Sequence, residues 1–342
     1  MQSTKKNRGE WSELYVFCQL ILKNTLPFGD TNGRAVDNDF LTILKLAHDH
    51  EEAIFNRLKN GKLQIVKNDG AIVKELLISE AFDEGQLKII FDQIRNGVGR
   101  TFNMDSFIPI MNKLNIQKFK GNSSKKADIW IGFDYQATIH DLDPMGIKSY
   151  AGGAPTLLNS SKVTNFIYEI TNFTGSVNQV NAIESRSKIK DRVKKILAEG
   201  GVFTYTPSND NVHEKNLRMV DSKMPELLAE VLIKYYRGDG CLLSSLVVEE
   251  QKIARFKDYL KAVVLGMFSS KEWDGNYTSN GTIILHDADT LVLYHVMKDK
   301  IFKDYFFSKT KLDTPASRNG FGKLYIENNK IYMKLNLQIR SI

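Results

Sequence analysis

Apolar positions at the start of the chain recur at spacings of three and four. Trp11, Leu14, Tyr15, Cys18, Ile21 and Leu22 fall on one stripe, which predicts a helix over residues 11–22, opening after Gly9. Residues 24–36 are turn-rich, with Pro27, Gly29, Asp30, Asn32 and Gly33. Residues 40–58 read as a second helix. Residues 62–66 and 71–77 flank Asn68-Asp69-Gly70, a strong hairpin signal. Helices are expected over 79–95 and 105–114. Strand-like runs follow at 127–133, 146–150 and 164–170, then a basic helix over 178–198 and a strand at 202–205. Amphipathic helices are expected over 224–236 and 252–267. The last third returns to strands at 282–285, 323–327 and 331–337, the last two joined by Asn328-Asn329.

This alternation predicts an α/β (α+β) chain whose mixed central sheet is flanked by helices. With no repeat, low-complexity tract or long linker, one continuous unit over 1–342 is expected. Residues 1–120 would be its mainly helical part and 121–342 its core and recognition part.

Composition adds little to this. Lys and Arg number 47 against 40 Asp and Glu, a net charge of +7, which suits a polyanionic partner without requiring one. Cys18 and Cys241 are far apart, sit among apolar residues and are too few for a zinc site, so buried free thiols in a reducing compartment are expected. No signal peptide or bilayer-length apolar run is evident, so the expected location is the cytoplasm. No phosphate-binding loop ends in Gly-Lys-Ser/Thr and no Gly-x-Ser-x-Gly elbow occurs, so nucleotide and serine hydrolases lack support. The six histidines show no metalloprotease spacing, and His48-Asp49-His50 reads as a polar surface segment.

The candidate chemistry lies in two strand-like segments, Lys126-Ala127-Asp128-Ile129-Trp130-Ile131 and Gly146-Ile147-Lys148-Ser149-Tyr150. A carboxylate and a lysine on adjacent strands can hold a divalent cation beside an amine, the minimum for hydrolysing a phosphodiester with metal-activated water. A strand-edge ion pair and a solvated lysine are the plainer readings of the same residues. Glu10 shares a helix face with Leu14, Phe17 and Ile21, a costly place for an ionised group without a partner, and Glu13 lies at the edge of that face. Ordinary placement of acids in a helix first turn is the alternative for both. The basic run from Arg186 through Lys188 to Lys195 could contact phosphates, or be a solvated helix face. Ser317, Arg318 and Asn319 sit in a glycine-containing loop whose side chains suit base edges. Asn159, Ser160, Lys162 and Asn165 are further donors close to the proposed centre.

Several segments together resemble one family. Residues 6–15, Lys-Asn-Arg-Gly-Glu-Trp-Ser-Glu-Leu-Tyr, resemble the N-terminal motif of HpaII-type restriction endonucleases. Ala127-Asp128-Ile129, the 146–150 segment, Pro155 to Ser161 and Thr164-Asn165-Phe166 resemble that family's central block. Leu312 to Pro315, Ser317-Arg318, Phe321-Gly322 and Leu335 to Arg340 resemble its closing motifs. The matches keep their order over nearly the whole chain.

The resemblance implies a type II restriction endonuclease with a PD-(D/E)xK core and Mg2+ as cofactor. It also implies a CCGG-like palindromic site in double-stranded DNA and a DNA methyltransferase as genetic partner. It adds Ser149, Gln338 and Arg340 to the DNA-facing candidates. A palindrome calls for two centres, hence a homodimer while acting. Gly146 departs from the usual pattern, because two residues before the lysine such nucleases often carry Glu or Asp. Glu13 or Glu10 is expected to supply the missing ligand; Asp143 is a weaker substitute, lifted away by a turn at Pro144. Competing readings are a repair or junction nuclease with the same core and a non-catalytic, sequence-specific DNA-binding protein. A glycosidase using Glu10 and Glu13 lacks the apposed carboxylate geometry it would need.

Overall fold

A computed structural model describes residues 5–48, 53–117, 125–316 and 320–342. The chain begins with α1 (Arg8–Lys23), β1 (Thr25–Gly29), β2 (Ala35–Ala47), β3 (Ala53–Arg57), β4 (Lys62–Lys67) and β5 (Ile72–Leu77). Helices α2 (Ile78–Ala81), α3 (Glu84–Asn96) and α4 (Phe107–Lys113) follow. Strands β6 (Ile129–Tyr135), β7 (Thr138–Ser149), β8 (Thr156–Leu158) and β9 (Asn165–Thr171) come next. Then come α5 (Val177–Asn181), α6 (Lys188–Ala198), β10 (Val202–Thr206), α7 (Val212–Val220), α8 (Met224–Arg237), α9 (Leu243–Leu246) and α10 (Glu250–Leu265). The chain closes with β11 (Gly281–Asp287), β12 (Thr290–His295), α11 (Asp299–Ser308), β13 (Thr310–Leu312), β14 (Leu324–Glu327), β15 (Lys330–Asn336) and β16 (Ile339–Ser341).

Two compact units form where one continuous unit is expected. The first comprises Met1–Pro155, Val264–Gly266 and Tyr277–Tyr305; the second comprises Thr156–Val263, Met267–Asn276 and Phe306–Ile342. The first unit holds a mixed nine-stranded sheet in the order β1-β12-β11-β7-β6-β2-β3-β4-β5. Its β11–β7 and β1–β12 pairs are parallel, and the other pairs are antiparallel. The second unit holds a four-stranded sheet, β10-β9-β15-β14, and a three-stranded one, β13-β16-β8.

Helix α1 is buried along most of its length, with Trp11, Leu14, Tyr15, Val16, Phe17, Cys18, Leu20 and Ile21 in the core of the first unit. The indole of Trp11 stacks on Phe107 at 5.5 Å and donates to Phe102 O at 3.0 Å. Ile129, Ile131 and Phe133 point inward from β6, the alternation a half-covered strand requires.

The described residues of 40–58 form no helix; all but His48 and Leu58 fall on β2 and β3. A bulge explains the misreading. The register of β2 against β6 shifts between Ile43 and Lys45, so the buried positions run Leu41, Ile43 and Leu46. That extra residue stretches a spacing of two into one that mimics a helical face. Gly132 makes room for the bulge, because a Cβ there would meet the Lys45 stem at 2.5 Å. The described residues of 1–120 therefore carry β1–β5 alongside α1–α4 and are not mainly helical. The 79–95 helix breaks into α2 and α3, and the 178–198 helix into α5 and α6. His48 is buried, not a surface residue; Asp49 and His50 lie outside the described residues. Cys18 is buried as expected, whereas Cys241 is exposed.

Candidate active site

The start of α1 is fixed by a capping box. Asn7 Oδ1 accepts from Glu10 N at 3.0 Å, and Glu10 Oε2 accepts from Asn7 N at 2.8 Å. The Glu10 carboxylate is therefore folded back onto the helix end, and its place on the apolar face has a local explanation. One residue past the first turn, Ser12 is fully buried, and its Oγ lies 2.9 Å from both Arg8 O and Ser149 Oγ. That hydroxyl pair ties α1 to β7 and sets Glu13 beside Lys148.

Strands β6 and β7 are antiparallel neighbours, with Ile129 opposite Met145. Asp128 stands at the mouth of β6. Its N–H donates to Met145 O at 2.8 Å, and its Oδ2 accepts from Ile147 N at 2.7 Å. The carboxylate is thus anchored on the backbone one residue before Lys148. On the far side of β7 runs β11, with Ile284 opposite Lys148.

Glu13, Asp128 and Lys148 line one cleft of about 380 Å3, together with Arg8, Ser12 and Ser149. Arg8 is held there by hydrogen bonds to Ile94 O at 3.0 Å and Gly97 O at 2.6 Å. Gly146 is closed to any side chain, since a Cβ would meet Lys126 O at 2.8 Å. The customary strand carboxylate cannot be accommodated there without moving backbone.

Burial, reinforced by Asp128 and Glu10, pushes the Glu13 carboxyl up to about 8, against the opposing pull of Lys148 and Lys6. Burial also raises Asp128, opposed by Lys148, the Ile147 N–H and Lys126. Lys126 is brought down to about 7, by burial first and Lys148 second. Two acids side by side in a buried setting, their charged forms disfavoured chiefly by burial, suit a cation. Glu13 Oε2 is buried and has no hydrogen-bond partner among the described residues. Such an orphan oxygen fits a hard cation; Mg2+ takes oxygen ligands and keeps several waters, so two carboxylates suffice. No cluster of three or more His, Cys, Asp or Glu side chains suited to a metal occurs among the described residues.

Asp143 does not enter the cleft. Pro144 lies inside β7 opposite Trp130, not in a turn, and Asp143 is engaged by His295 Nε2 at 3.0 Å and Asn280 Nδ2 at 2.5 Å.

The DNA-facing candidates divide. Ser149 lines the cleft, where its Oγ also accepts from Ala151 N at 3.1 Å. Asn159 and Lys162 are exposed and Ser160 half-buried, all in the second unit. Asn165 Oδ1 accepts from the buried Asn336 Nδ2 at 2.5 Å, so its amide serves the β9–β15 pair. Arg340 forms an ion pair with Asp313 at 3.0 Å on β16, whose neighbours are β13 and β8. The backbone carbonyl of Gln338 accepts from Asp313 N at 3.1 Å. Arg186 and Lys188 border a cleft beside Tyr235. Ser317 and Arg318 lie outside the described residues.

Sequence reasoning missed Arg8, Ser12 and Lys126 as parts of the site. Each stands within or beside a segment singled out above, but only the docking of α1 on β7 separates them from their neighbours.

This buried pair of acids beside a lysine has the character of a hydrolytic metal centre, and comparison with known proteins places the chain among restriction endonucleases. The family model described as HpaII restriction endonuclease matches residues 7–341. The type II restriction enzyme HpaII of Haemophilus parainfluenzae is 30% identical over 361 aligned positions, covering 98% of each chain. The chain belongs to the HpaII restriction endonuclease family, a group of site-specific deoxyribonucleases. No solved structure matches it. Among the described residues, no helix is long and apolar enough to cross a membrane.

Proposed function

We propose that this chain is a type II restriction endonuclease that cuts both strands of DNA at a short, CCGG-like palindrome, using Mg2+ held by Asp128 and Glu13. The observation that carries this reading is the meeting of Glu13, Asp128 and Lys148 in one cleft, with a buried Glu13 oxygen left without a partner. The core is a PD-(D/E)xK arrangement in which the glycine at 146 has moved the second acid onto α1. Glu10, the alternative ligand, is occupied in capping.

Mg2+ bound there supplies a Lewis acid for the scissile phosphate and eases deprotonation of the attacking water. Lys148 orients that water for in-line attack and faces the charge that builds on the phosphate oxygens. Ser12 and Ser149 hold Glu13 and Lys148 in register. Arg8 presents a fixed guanidinium at the cleft wall. The products carry a 5′-phosphate and a 3′-hydroxyl. The first unit cuts, while Ser149 and residues of the second unit (Asn159, Ser160, Lys162, Arg186, Lys188, Ser317, Arg318 and Gln338) contact the duplex. The enzyme works in the cytoplasm as a homodimer matched to the symmetry of its site, and a partner methyltransferase protects host DNA.

Digestion of unmethylated plasmid with Mg2+ or with EDTA, followed by sequencing of the fragment ends, tests this. Discrete fragments with one palindrome at every end, formed only with Mg2+, are expected. Binding without cutting under either condition would overturn the proposal and favour a non-catalytic DNA-binding protein.

A further inference from the structure

A second charged surface lies wholly in the second unit. Two adjoining clefts, of about 470 and 380 Å3, share Lys188 and Ile189 at the start of α6 as a common wall. Their linings carry Arg186, Lys188, Lys190, Arg192, Lys323 and Lys334 against a single carboxylate among the described residues, Glu184. Glu184 is already engaged by Lys188 at 2.7 Å and Arg192 at 2.9 Å. Among the described residues, Arg186, Lys190, Lys323 and Lys334 form no ion pair. Some cations elsewhere in this unit are paired, as in Lys195–Glu199, Lys234–Glu230 and Lys252–Glu249, but they do not gather around the shared clefts. A concave surface with this uncompensated charge repels itself unless an anion joins it.

The clefts are rigidly built. Arg192 is buried, and its Nη1 donates to Gly322 O at 2.7 Å while its Nη2 donates to Asn181 O and Ile183 O. Gly322 has φ +82°, and a Cβ there would meet Ile189 at 2.7 Å, so the returning chain presses directly on α6. Two lysines are laid along the walls by aromatic rings: Lys190 Nζ lies 4.1 Å from the centre of Tyr235, and Lys334 Nζ lies 5.3 Å from that of Tyr325.

We infer that these paired clefts are a clamp for the sugar-phosphate backbone of duplex DNA, supplying sequence-independent affinity apart from the cutting centre. The inference rests on the endonuclease reading and deepens it. Adjoining basic clefts suit successive phosphates along a strand better than one small anion. Lysines and arginines directed at phosphate add counterion release and no base discrimination.

The triple variant Lys190→Gln/Lys323→Gln/Lys334→Gln tests this in the full chain. Fluorescence anisotropy in EDTA would follow two short duplexes, one containing and one lacking the cleaved palindrome, across a salt series. Affinity is expected to fall roughly 10–100-fold on both, and the slope of log affinity against log salt to shrink by about 2–3. A control with the same charge loss on exposed lysines of the first unit, Lys59→Gln/Lys67→Gln/Lys88→Gln, is expected to keep the wild-type slope. If the triple variant melts early, exposed Arg186→Gln alone should still lower the slope by about 1. A wild-type slope in these variants, or an equal loss in the control, overturns the clamp while plasmid cutting by the wild type leaves the endonuclease reading intact. Failure of the wild type to bind either duplex overturns the clamp, and failure also to cut plasmid with Mg2+ overturns both.

Discussion

In the cleft of the first unit, Glu13, Asp128 and Lys126 are each driven by burial toward their neutral forms. In the clefts of the second unit, Arg186, Lys190, Lys323 and Lys334 have no ion-pair partner among the described residues. One region uses few charges under high electrostatic stress, and the other uses many under little. The contrast fits the two tasks proposed for these regions. Chemistry at a phosphate needs charges that water has not already satisfied, whereas grip on a polyanion grows with the number of solvated cations it meets.

The comparison breaks most visibly if the two roles are not separable. Asp128→Ala or Lys148→Ala should lower cleavage by roughly 10²–10⁴-fold while binding in EDTA stays within a few-fold of wild type. A purified variant that still cuts would remove that residue from the chemistry.

Gly146 sharpens the claim that the second acid must come from α1. Gly146→Ala presses a methyl against Lys126 O and should cost about 1–3 kcal/mol in a denaturant titration. Gly146→Asp should not restore cutting to Glu13→Gln; restoration would show that the strand position is open after all.

The stressed charges also leave a mark on stability. The Glu13 carboxyl has its ordinary value of 4.5 raised to about 8 by burial, Asp128 and Glu10. Its protonated form is therefore favoured in the folded state. Its contribution is intact below about pH 4.5 and is lost as pH rises through 8. Metal-free Glu13→Gln should thus gain on wild type from pH 5 to pH 9, on the order of 1 kcal/mol or more, in paired thermal melts. A constant difference across that range would mean that Glu13 is not held protonated. Mg2+ binding should release protons below pH 8, which calorimetry in two buffers can measure.

The smallest expected effect is that of Ser12→Ala. Losing the link to Ser149 should lower kcat a few-fold at unchanged KM, consistent with about 0.5–1.5 kcal/mol for one hydrogen bond. A change in KM alone would mark Ser12 as part of substrate binding.

The strands beside Asp128 and Lys148 were readable because each lies in a short segment whose alternation declares its own strand, although the turn expected at Pro144 is part of β7. The Asn68-Asp69-Gly70 and Asn328-Asn329 turns were readable for the same local reason; both asparagines of the second take positive φ. What failed to show depends on distant partners. Nothing local reveals that Asn165 will be claimed by Asn336, or Arg340 by Asp313. Glu10 and Glu13 could not be ranked until the capping box engaged one and β7 met the other. The bulge at Lys45 hid β2 because its cause, the missing side chain of Gly132, sits on another strand.

The way α1 is moored bears on the order in which the protein becomes active. Tyr15 donates to Ala288 O at 2.6 Å and Gln19 to the same oxygen at 3.2 Å, while β7 gains its second neighbour only from residues 281–285. A nascent chain that has emerged as far as Lys148 already contains every acid and amine of the proposed centre, but its first helix lacks the anchor at Ala288 and its key strand has a bare edge. The proposed blade is set only once residues 281–288 have been made, so chains ended before them are expected to be blunt.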